Sequence, residues 1–545
     1  MNQMRRIAAG VVAAVAMATV GLPLAGVALR AAWPHDPGEN PTGAAAPGGA
    51  PATATDVACS TLGVPLLIAA GSLLLAWPTC WLLRGLEGRA RPVLALLAVP
   101  MLMPAYLAYA GFGLARAPGT WIGEVVNRWP PGTNVLFGKS LAVLGLILWC
   151  WPLATVALLS AVRRIEQEHL DQLALSGASR WTLFVQRLRM VRGAALSAFA
   201  LVALLMLGSA VPLHLAQIPT LAIDLWARLA LAPTSARVWL DAWPLVLAAV
   251  IGALWITRWA GADEHHETRA TPAPIARRAS WLLPAAAWIL GALFPLALFV
   301  ATLRHTKLLT DFWRENAQAV GDSLAVAGAT GVLLVCLTLA SWYAAEHAAT
   351  RRILLYGLSL QLVGLLLPGV LIGGAIGGLL NHPVLGGFGR WFGDSTGALV
   401  LGHLARFGAL GTAAGLWLAR VEAPSLRDAR RLAGGDGVRA WLALAVRPQT
   451  STLAGVGLGG GCLSLHEIEA TLQLQPPGYT SLAQVMLDHL HMNSVQELAA
   501  AGINILAAGV VLAAAGGWLL GGARRAGGER QTRSEPNATG RVPNR

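Results

Sequence analysis

The sequence contains little charge. Asp, Glu, Lys and Arg together make up 12% of its 545 residues, about half of their share in a typical soluble domain. A soluble globular protein is therefore excluded. Apolar runs of about 20 residues recur along the chain instead, and each can cross a hydrocarbon core of about 30 Å. Because a spanning segment must satisfy its own backbone hydrogen bonds, the sequence predicts an all-α fold, a polytopic membrane helical bundle.

Cysteine is scarce as well, and the sequence lacks the Cys and His spacings that are typical of metal sites. The cysteines lie in or beside apolar runs without any CxxC pair; they are Cys59, Cys80, Cys150, Cys336 and Cys462. This distribution is typical of small apolar side chains rather than of a disulfide framework or a metal site. The segments DEHHE (263–267) and DHLHM (488–492) lack the helical HExxH spacing of a zinc site. We therefore expect no metal and no cofactor.

A nucleotide-binding loop is also missing. Such a loop has the pattern G-x-x-x-x-G-K-[ST] between a strand and a helix, so that backbone N–H groups surround the phosphates. The segment GTNVLFGKS (132–140) comes close, but five residues separate its glycines. We therefore expect no ATPase and no other enzymatic activity in this chain.

Basic residues outnumber acidic ones, 40 to 27, and most of them fall in loops on one side of the predicted membrane. By the positive-inside rule that side is the cytoplasm. We expect a multi-pass protein of the inner (plasma) membrane with both termini cytoplasmic and a retained first helix, since the first run is longer than a signal-peptide core. The excess positive charge indicates contact with the lipid membrane and no nucleic acid, because no basic stripe alternates with exposed aromatic residues.

The apolar runs predict about twelve transmembrane helices. They cover residues 7–31, 59–83, 92–115, 139–162, 194–216, 241–257, 281–303, 323–345, 354–380, 397–419, 449–469 and 498–522. The polar segment 262–280 reads as a cytoplasmic linker between two transmembrane halves, 1–261 and 281–522, and residues 523–545 as a disordered cytoplasmic tail. A similar polar insert follows the fourth run of each half. The halves are therefore predicted to be two parallel six-helix repeats.

The two inserts share their internal spacing. They are LDQLALSGASRWTLFVQRLRM (170–190) and LRDARRLAGGDGVRAWLALAVRP (426–448), within polar loops near 163–192 and 420–448. In each, an aspartate lies six residues before a glycine and an aromatic residue lies seven after it. The pattern predicts a short amphipathic helix, a turn at the glycine and a second helix. Such inserts either cover the inner face of the bundle or dock two copies of a partner.

The inserts resemble the EAA-type cytoplasmic loop, with its following glycine, of the permease subunits of ATP-binding-cassette importers. The resemblance implies ATPase-docking residues in both copies: Asp171, Gln172, Gly177, Ala178, Ser179 and Phe184 in the first, and Asp428, Ala429, Gly434, Trp441 and Pro448 in the second. Both copies carry Asp where the family has Glu. The first copy has Arg189 and Met190 where Leu-Pro is expected, and Pro448 comes one residue late.

A second resemblance lies after the eleventh run, in SLHEIEATLQLQPPGYTSLAQVM (464–486). It looks like the corresponding segment of ferric-iron-type permeases, a group that includes thiamine and 2-aminoethylphosphonate transporters. Glu467, Ala470 and Thr471 match that pattern, whereas His466 and Glu469 are unusual. The first half echoes the segment weakly in LGSAVPLHLAQIPTLAIDLW (207–226).

Together the resemblances imply an importer permease that moves a small solute, with ferric iron as the first candidate. They imply two cytoplasmic ATP-binding-cassette ATPase subunits and a periplasmic or extracellular solute-binding protein as partners. An ion-coupled secondary transporter with parallel internal repeats is the alternative, and it needs ionisable groups within the membrane. Such groups are sparse; the residues considered for a translocation path are His403, Arg406, Glu467 and Thr471.

Overall fold

The computed structural model describes residues 2–32, 53–86, 90–116, 120–165, 167–231, 236–262, 281–422, 424–432, 437–492 and 494–532. Every regular element within these ranges is helical, as the sequence predicts. Gly434, the linker residues 263–280 and the tail residues 533–545 lie outside the described residues. Residues 523–532 belong to the last helix, which continues past the end of the last apolar run. This part of the predicted disordered tail is therefore helical.

The first half of the structure ends at residue 262. Its elements are α1 (Asn2–Ala16), a π-helical turn (Met17–Gly21), α2 (Leu22–Ala32), α3 (Ala54–Arg84), α4 (Ala90–Leu97), a 3-10 turn (Val99–Leu102), α5 (Ala105–Leu114), α6 (Trp121–Val126), α7 (Pro131–Arg163), α8 (Gln167–Leu175), α9 (Arg180–Leu207), α10 (Val211–Leu215), α11 (Leu221–Leu231), α12 (Ala236–Asp241) and α13 (Trp243–Ala262).

The second half begins at residue 281. Its elements are α14 (Leu282–Trp288), a π-helical turn (Ile289–Leu293), α15 (Phe294–Thr302), α16 (Lys307–Glu315), α17 (Ala317–Ala345), α18 (Ala348–Leu366), α19 (Gly369–Leu380), a 3-10 turn (Pro383–Leu385), α20 (Gly386–Gly393), α21 (Thr396–Val421), α22 (Pro424–Leu432), α23 (Val438–Trp441), a π-helical turn (Leu442–Val446), a 3-10 turn (Arg447–Gln449), α24 (Thr450–Leu465), α25 (Glu469–Leu474), α26 (Leu482–His491) and α27 (Val495–Thr532).

Among the described residues, eight helical segments are long and apolar enough to cross a membrane. They are Gln3–Leu29, Ala54–Arg84, Gly132–Arg163, Arg180–Leu207, Leu282–Thr302, Ala317–Ala345, Thr396–Val421 and Val495–Leu512. A ninth candidate is the pair α18 and α19, which bends by 110°. The molecule is thus a helical bundle of membrane-spanning character, as expected.

Several predicted spans are broken rather than straight, and proline lies at two of the breaks. The run 92–115 is divided at Pro100 and Pro104, and the run 354–380 bends at Pro368. Proline lacks a backbone N–H and disfavours a helical conformation in the preceding residue. Pro23 and Pro295 are accommodated differently, since each lies two residues after the end of a π-helical turn that widens the helix.

Small residues let the long helices approach closely. On α21, a Cβ added to Gly411 would lie 2.7 Å from the carbonyl oxygen of Leu334 on α17. In the first half, Gly71 on α3 packs against Ile147 on α7, where an added Cβ would lie 2.6 Å from its Cδ1. Close packing of this kind drives helix association in lipid, where apolar burial alone supplies little. These pairs form the framework that holds the broken helices in place.

Candidate functional site

Three interrupted helices meet in the middle of the molecule. The chain breaks between α9 and α10 at residues 208–210, between α18 and α19 at 367–368, and between α24 and α25 at 466–468. A Cβ on Gly208 would lie 2.7 Å from the carbonyl oxygen of Leu366, so the ends of α9 and α18 touch. Each break frees backbone N–H and C=O groups that cannot find water in a membrane interior, and they need protein partners.

Glu469 satisfies the helix starts at this junction. Its Oε1 accepts hydrogen bonds from the backbone N–H of Ala210 at 2.7 Å and of Val211 at 3.2 Å, while its Oε2 accepts one from Gly369 at 2.9 Å. Ala210 and Val211 begin α10 in the first half, and Gly369 begins α19 in the second. Both oxygens act as acceptors, which is the pattern of an ionised carboxylate. A negative charge at two helix N-termini also complements their dipoles.

Arg406 satisfies the helix end at the same junction. Its Nη1 donates to the carbonyl oxygens of Leu365 in the last turn of α18, at 2.9 Å, and of Leu367 directly after that helix. Its Nε donates to Glu467 Oε2 at 3.2 Å, and Glu467 Oε1 accepts from the N–H of Ala470 at 3.0 Å. A positive charge at a helix C-terminus again matches the dipole, and the ion pair leaves neither charge buried alone.

His403 lies between the two parts of the broken α24–α25 segment. Its Nδ1 lies 2.5 Å from Ser464 Oγ and its Nε2 2.9 Å from Thr471 Oγ1. The Thr471 hydroxyl donates to the carbonyl oxygen of Glu467 at 2.5 Å, so it accepts from Nε2–H. The hydrogen bonds thus place a proton on Nε2, and the hydroxyl of Ser464 pairs with Nδ1.

These residues form one group, which we call the polar cluster: His403, Arg406, Ser464, Glu467, Glu469 and Thr471. All of them are buried, and all come from α21 and the α24–α25 segment. The candidate translocation path of the sequence analysis, His403, Arg406, Glu467 and Thr471, is therefore brought together in space. Sequence reasoning noted Glu469 only as unusual and missed its role. The signal was its place directly after a break in an apolar run, where free helix N–H groups need an acceptor.

A cavity of about 340 Å³ lies beside the polar cluster. First-half residues such as Tyr106, Trp149 and Leu205 line one side of it, and second-half residues such as Leu362 and Phe407 line the other. Arg406, Glu467 and Glu469 form its polar end. The volume falls within the range of small-molecule sites, which are mostly apolar with a few placed polar groups.

The residues that line the cavity show where it lies along the helices. Leu201 and Leu205 come before the end of α9, and Leu358 and Leu362 come before the end of α18. The cavity therefore extends from the polar cluster toward the first turns of α9 and α18. The insert that contains Gly177 lies at that end of α9.

The first insert has the predicted helix–glycine–helix form. The α8 helix ends at Leu175, and Gly177 has a φ of +85°. The N–H of Ala178 bonds to Leu173 C=O at 3.0 Å, and the N–H of Gly177 bonds to Ala174 C=O at 3.0 Å. This pair of bonds is the Schellman arrangement, which needs a left-handed residue and so favours glycine. Ser179 then caps α9 by accepting from Thr182 N–H at 3.1 Å.

The same insert presents aromatic residues to its surroundings. Trp181 is 71% exposed and Phe184 is 38% exposed, and their rings stack at a centroid distance of 5.4 Å. Phe184 also meets Trp77 of α3 edge-on at 5.9 Å. Asp171 and Gln172 lie on the exposed side of α8, whereas Leu170 is buried against the bundle. The insert is therefore anchored by one face and open on the other.

The second insert is built differently. Its glycine, Gly434, lies outside the described residues, but Trp441 is only 3% exposed and packs edge-on against Trp342 and Tyr343. Phe184 and Trp441, at matching positions in the sequence, therefore have different surroundings, because α23 folds back onto the end of α17. Asp428, Ala429 and Pro448 are exposed.

Ion pairs fasten this second insert to the rest of the bundle. Glu346, fully buried at the end of α17, accepts from Arg430 of α22 at 2.6 Å and from Arg5 of α1 at 2.5 Å. Arg430 also lies 3.3 Å from Glu422 at the end of α21. One carboxylate thus joins the first helix of the chain to the second insert.

Other motifs found in the sequence are placed as follows. The segment 132–140, the near-match to a nucleotide loop, forms the first turns of α7, and a continuous helix cannot wrap a phosphate. His491 in the DHLHM segment lies with its ring 6.1 Å from that of His214. Within the described part of the chain, no group of three or more His, Cys, Asp or Glu residues could hold a metal ion.

No protein family model matches the chain, and no curated protein or solved structure matches it either. The resemblance to importer permeases therefore remains a prediction that depends on the inserts and on the segment 464–486.

Proposed function

We propose that this chain is the transmembrane permease of a binding-protein-dependent ATP-binding-cassette importer of the ferric-iron, thiamine and 2-aminoethylphosphonate type. It has about twelve membrane segments in two parallel six-helix repeats, some of them broken. Two cytoplasmic ATPase subunits drive it through the inserts, and a solute-binding protein delivers the solute from outside. The protein lies in the inner (plasma) membrane, and both of its termini are in the cytoplasm.

The repeat is supported by matching elements around the breaks. In the first half, a long helix (α9), a break, a short helix (α10) and a turn lead to α11; in the second, α24, α25 and α26 follow the same order. The turns contain Gln217 with a φ of 55° and Gly478 with a φ of 79°. Gln217 is an unusual residue for a left-handed conformation, so its agreement with a glycine in the other half supports a shared backbone plan.

Matching hydrogen bonds support the repeat further. The N–H of Leu221, which begins α11, bonds to Thr61 Oγ1 of α3 at 2.9 Å. The N–H of Leu482, which begins α26, bonds to Ser323 Oγ of α17 at 2.8 Å. In each half, a hydroxyl near the start of the second long helix thus caps the helix that follows the turn. The π-helical turns before Phe294 and Leu22 form a third matched pair.

The observation that carries the proposal is the cavity that residues of both halves line, with Arg406, Glu467 and Glu469 of the polar cluster in its wall. A solute that enters from the outer side must pass the junction of broken helices to reach the cavity. In the proposed cycle, ATP-driven approach of the two ATPases moves the inserts together, rocks the halves and opens the junction. Only binding that differs between the inward-facing and outward-facing states can shift that equilibrium.

Ferric iron in chelated form is the first solute to test, and thiamine and a phosphonate come next. The largely apolar lining of the cavity fits an organic ligand around the metal better than a bare cation, which needs several oxygen donors. The solute itself is selected largely by the binding protein.

The test is transport by proteoliposomes. We expect vesicles that contain the chain with the ATPase and the binding protein encoded beside its gene to accumulate the solute when ATP is supplied. Vesicles that contain the chain alone should not accumulate it. Accumulation against a gradient by the chain alone would contradict the proposal.

A second candidate is an ion-coupled secondary transporter, and one observation favours it. His403, Arg406, Glu467 and Glu469 place four ionisable side chains in one buried group, where such transporters carry their coupling groups. The energy source that drives uptake distinguishes the two candidate functions. A proton gradient without ATP would drive uptake only in the secondary transporter.

A further inference from the structure

Glu469 is connected to both halves of the molecule, and its connections are unequal. Within the second half it accepts from Gly369 N–H at 2.9 Å, and a Cβ on Gly369 would lie 2.7 Å from the Glu469 Cβ. Toward the first half it accepts from the N–H groups of Ala210 at 2.7 Å and Val211 at 3.2 Å. The carboxylate therefore belongs sterically to the second half and bonds across to the first.

The other ionic contacts of the polar cluster stay within the second half. Arg406 bonds to Glu467 and to the last carbonyls of α18, and all of these groups lie beyond residue 360. They can move as one body when the halves separate. The bonds from Glu469 to the start of α10 cross the boundary, so they must break in any motion that parts the halves at this junction.

We propose that Glu469 is a positioning residue that acts as the latch between the halves: its two bonds to the start of α10 hold the junction closed, and they break when the junction opens. The role of this opening in transport rests on the proposed function. The hydrogen bonds of the latch themselves require no ATPase. Hydrogen bonds to a charged acceptor are stronger than neutral ones, and opening to water replaces them with solvent, so the latch is strong yet reversible.

The latch also explains why the charge lies on one half only. Gly208 and Glu469 lie at corresponding positions, each nine residues before the left-handed turn residue of its half. A second carboxylate at position 208 would face Glu469 across the junction and repel it. Gly208 instead lets α9 approach the end of α18, since a Cβ there would lie 2.7 Å from the carbonyl oxygen of Leu366. One half supplies the acceptor, and the other supplies the N–H donors.

The experiment measures access to the junction from outside. Ser209, which lines the cavity beside α10, is replaced by cysteine in a variant whose five native cysteines are changed to serine or alanine. A membrane-impermeant maleimide is then applied to the outer face of membranes that contain this chain without ATPase or solute. We expect Glu469→Ala to raise the labelling rate about tenfold, because both charge-assisted hydrogen bonds to the start of α10 are lost.

Two further variants separate the latch from general damage. Glu469→Gln keeps one carbonyl acceptor and should raise labelling by less than Glu469→Ala. Glu315→Ala removes an exposed carboxylate at the end of α16 and should leave labelling unchanged. If Glu469→Ala does not yield a folded protein by size-exclusion chromatography in detergent, Glu469→Gln carries the test by itself.

Labelling that stays at the parent rate in the folded variants would overturn the latch. The outcome is independent of the proposed function, because labelling is read without transport. A chain that fails to take up solute with its ATPase, yet shows faster labelling in Glu469→Ala, would reject the importer and keep the latch.

Discussion

The helix break in the first half of the chain and the break between α24 and α25 in the second half meet at one junction, but their side chains differ. At the first-half break the chain carries Gly208, Ser209 and Ala210, which contribute little but backbone. At the second-half break it carries Glu467 and Glu469, whose carboxylates are buried and bonded to helix ends of both halves. At this junction the second half therefore supplies the carboxylate side chain, and the first half supplies the backbone N–H groups that it binds.

The two inserts also differ, in how far their side chains are buried. In the first, Trp181 and Phe184 are exposed and the turn at Gly177 stands clear of the bundle. In the second, Trp441 is buried and Arg430 is paired with the fully buried Glu346. Two inserts that look equivalent in sequence therefore present unequal surfaces to any partner.

The largest effect is expected from a side chain placed in the junction of the halves. Gly369→Val introduces a Cβ that would lie 2.6 Å from Glu467 Oε1 and 2.7 Å from the Glu469 Cβ. The Cβ would also lie 3.1 Å from the backbone nitrogen of Ala470. We therefore expect loss of transport and a lower yield of folded protein, measured by uptake and by size exclusion. Gly459→Ala on α24 is the control, since a Cβ there meets nothing within 4 Å. Normal uptake by Gly369→Val would disprove the packing of the junction.

The next effect concerns the charges of the second half. Arg406→Leu leaves Glu467 buried without its partner and frees carbonyls at the end of α18, which we expect to cost about 3–5 kcal/mol of stability. Thermal unfolding in detergent measures this loss. The double variant Arg406→Leu with Glu467→Leu should recover part of it, because no buried charge is then left alone. Equal stability of the single and double variants would show that the ion pair does not link the two residues.

Tryptophan substitutions sharpen the comparison of the inserts. Trp441→Ala removes a buried ring and should lower stability by about 3–5 kcal/mol. Trp181→Ala removes an exposed one, so it should leave the melting temperature nearly unchanged while it weakens copurification of the proposed ATPase partner. Equal losses of stability in the two variants, or full ATPase retention by Trp181→Ala, would contradict the unequal roles.

The smallest effects are expected at exposed positions of the two inserts. Gly177→Ala places a Cβ in open space, so the cost comes only from the φ of +85° and should be about 1–2 kcal/mol. We expect a partial loss of ATPase association, measured by copurification, with membrane insertion intact. Asp428→Ala should have a smaller effect, since an exposed charge contributes little. A larger defect in Asp428→Ala would reverse this order.

Much of the helical plan was predictable because it depends on local pattern. The apolar runs predicted a membrane bundle, and the spacing around Gly177 predicted the turn that the positive φ confirms. The surroundings of Trp441 could not be predicted in this way. Its burial depends on where α23 meets α17, a contact between segments about a hundred residues apart in sequence.

The sequence by itself determined that this protein is an apolar helical bundle with paired polar inserts, since length, periodicity and turn residues act through neighbours along the chain. Only the tertiary structure decided that Glu469 joins two helix starts, that Arg406 closes a third helix end, and that a cavity lies beside them. The reason is physical: a broken helix leaves free N–H and C=O groups, but which side chain reaches them depends on how distant segments pack.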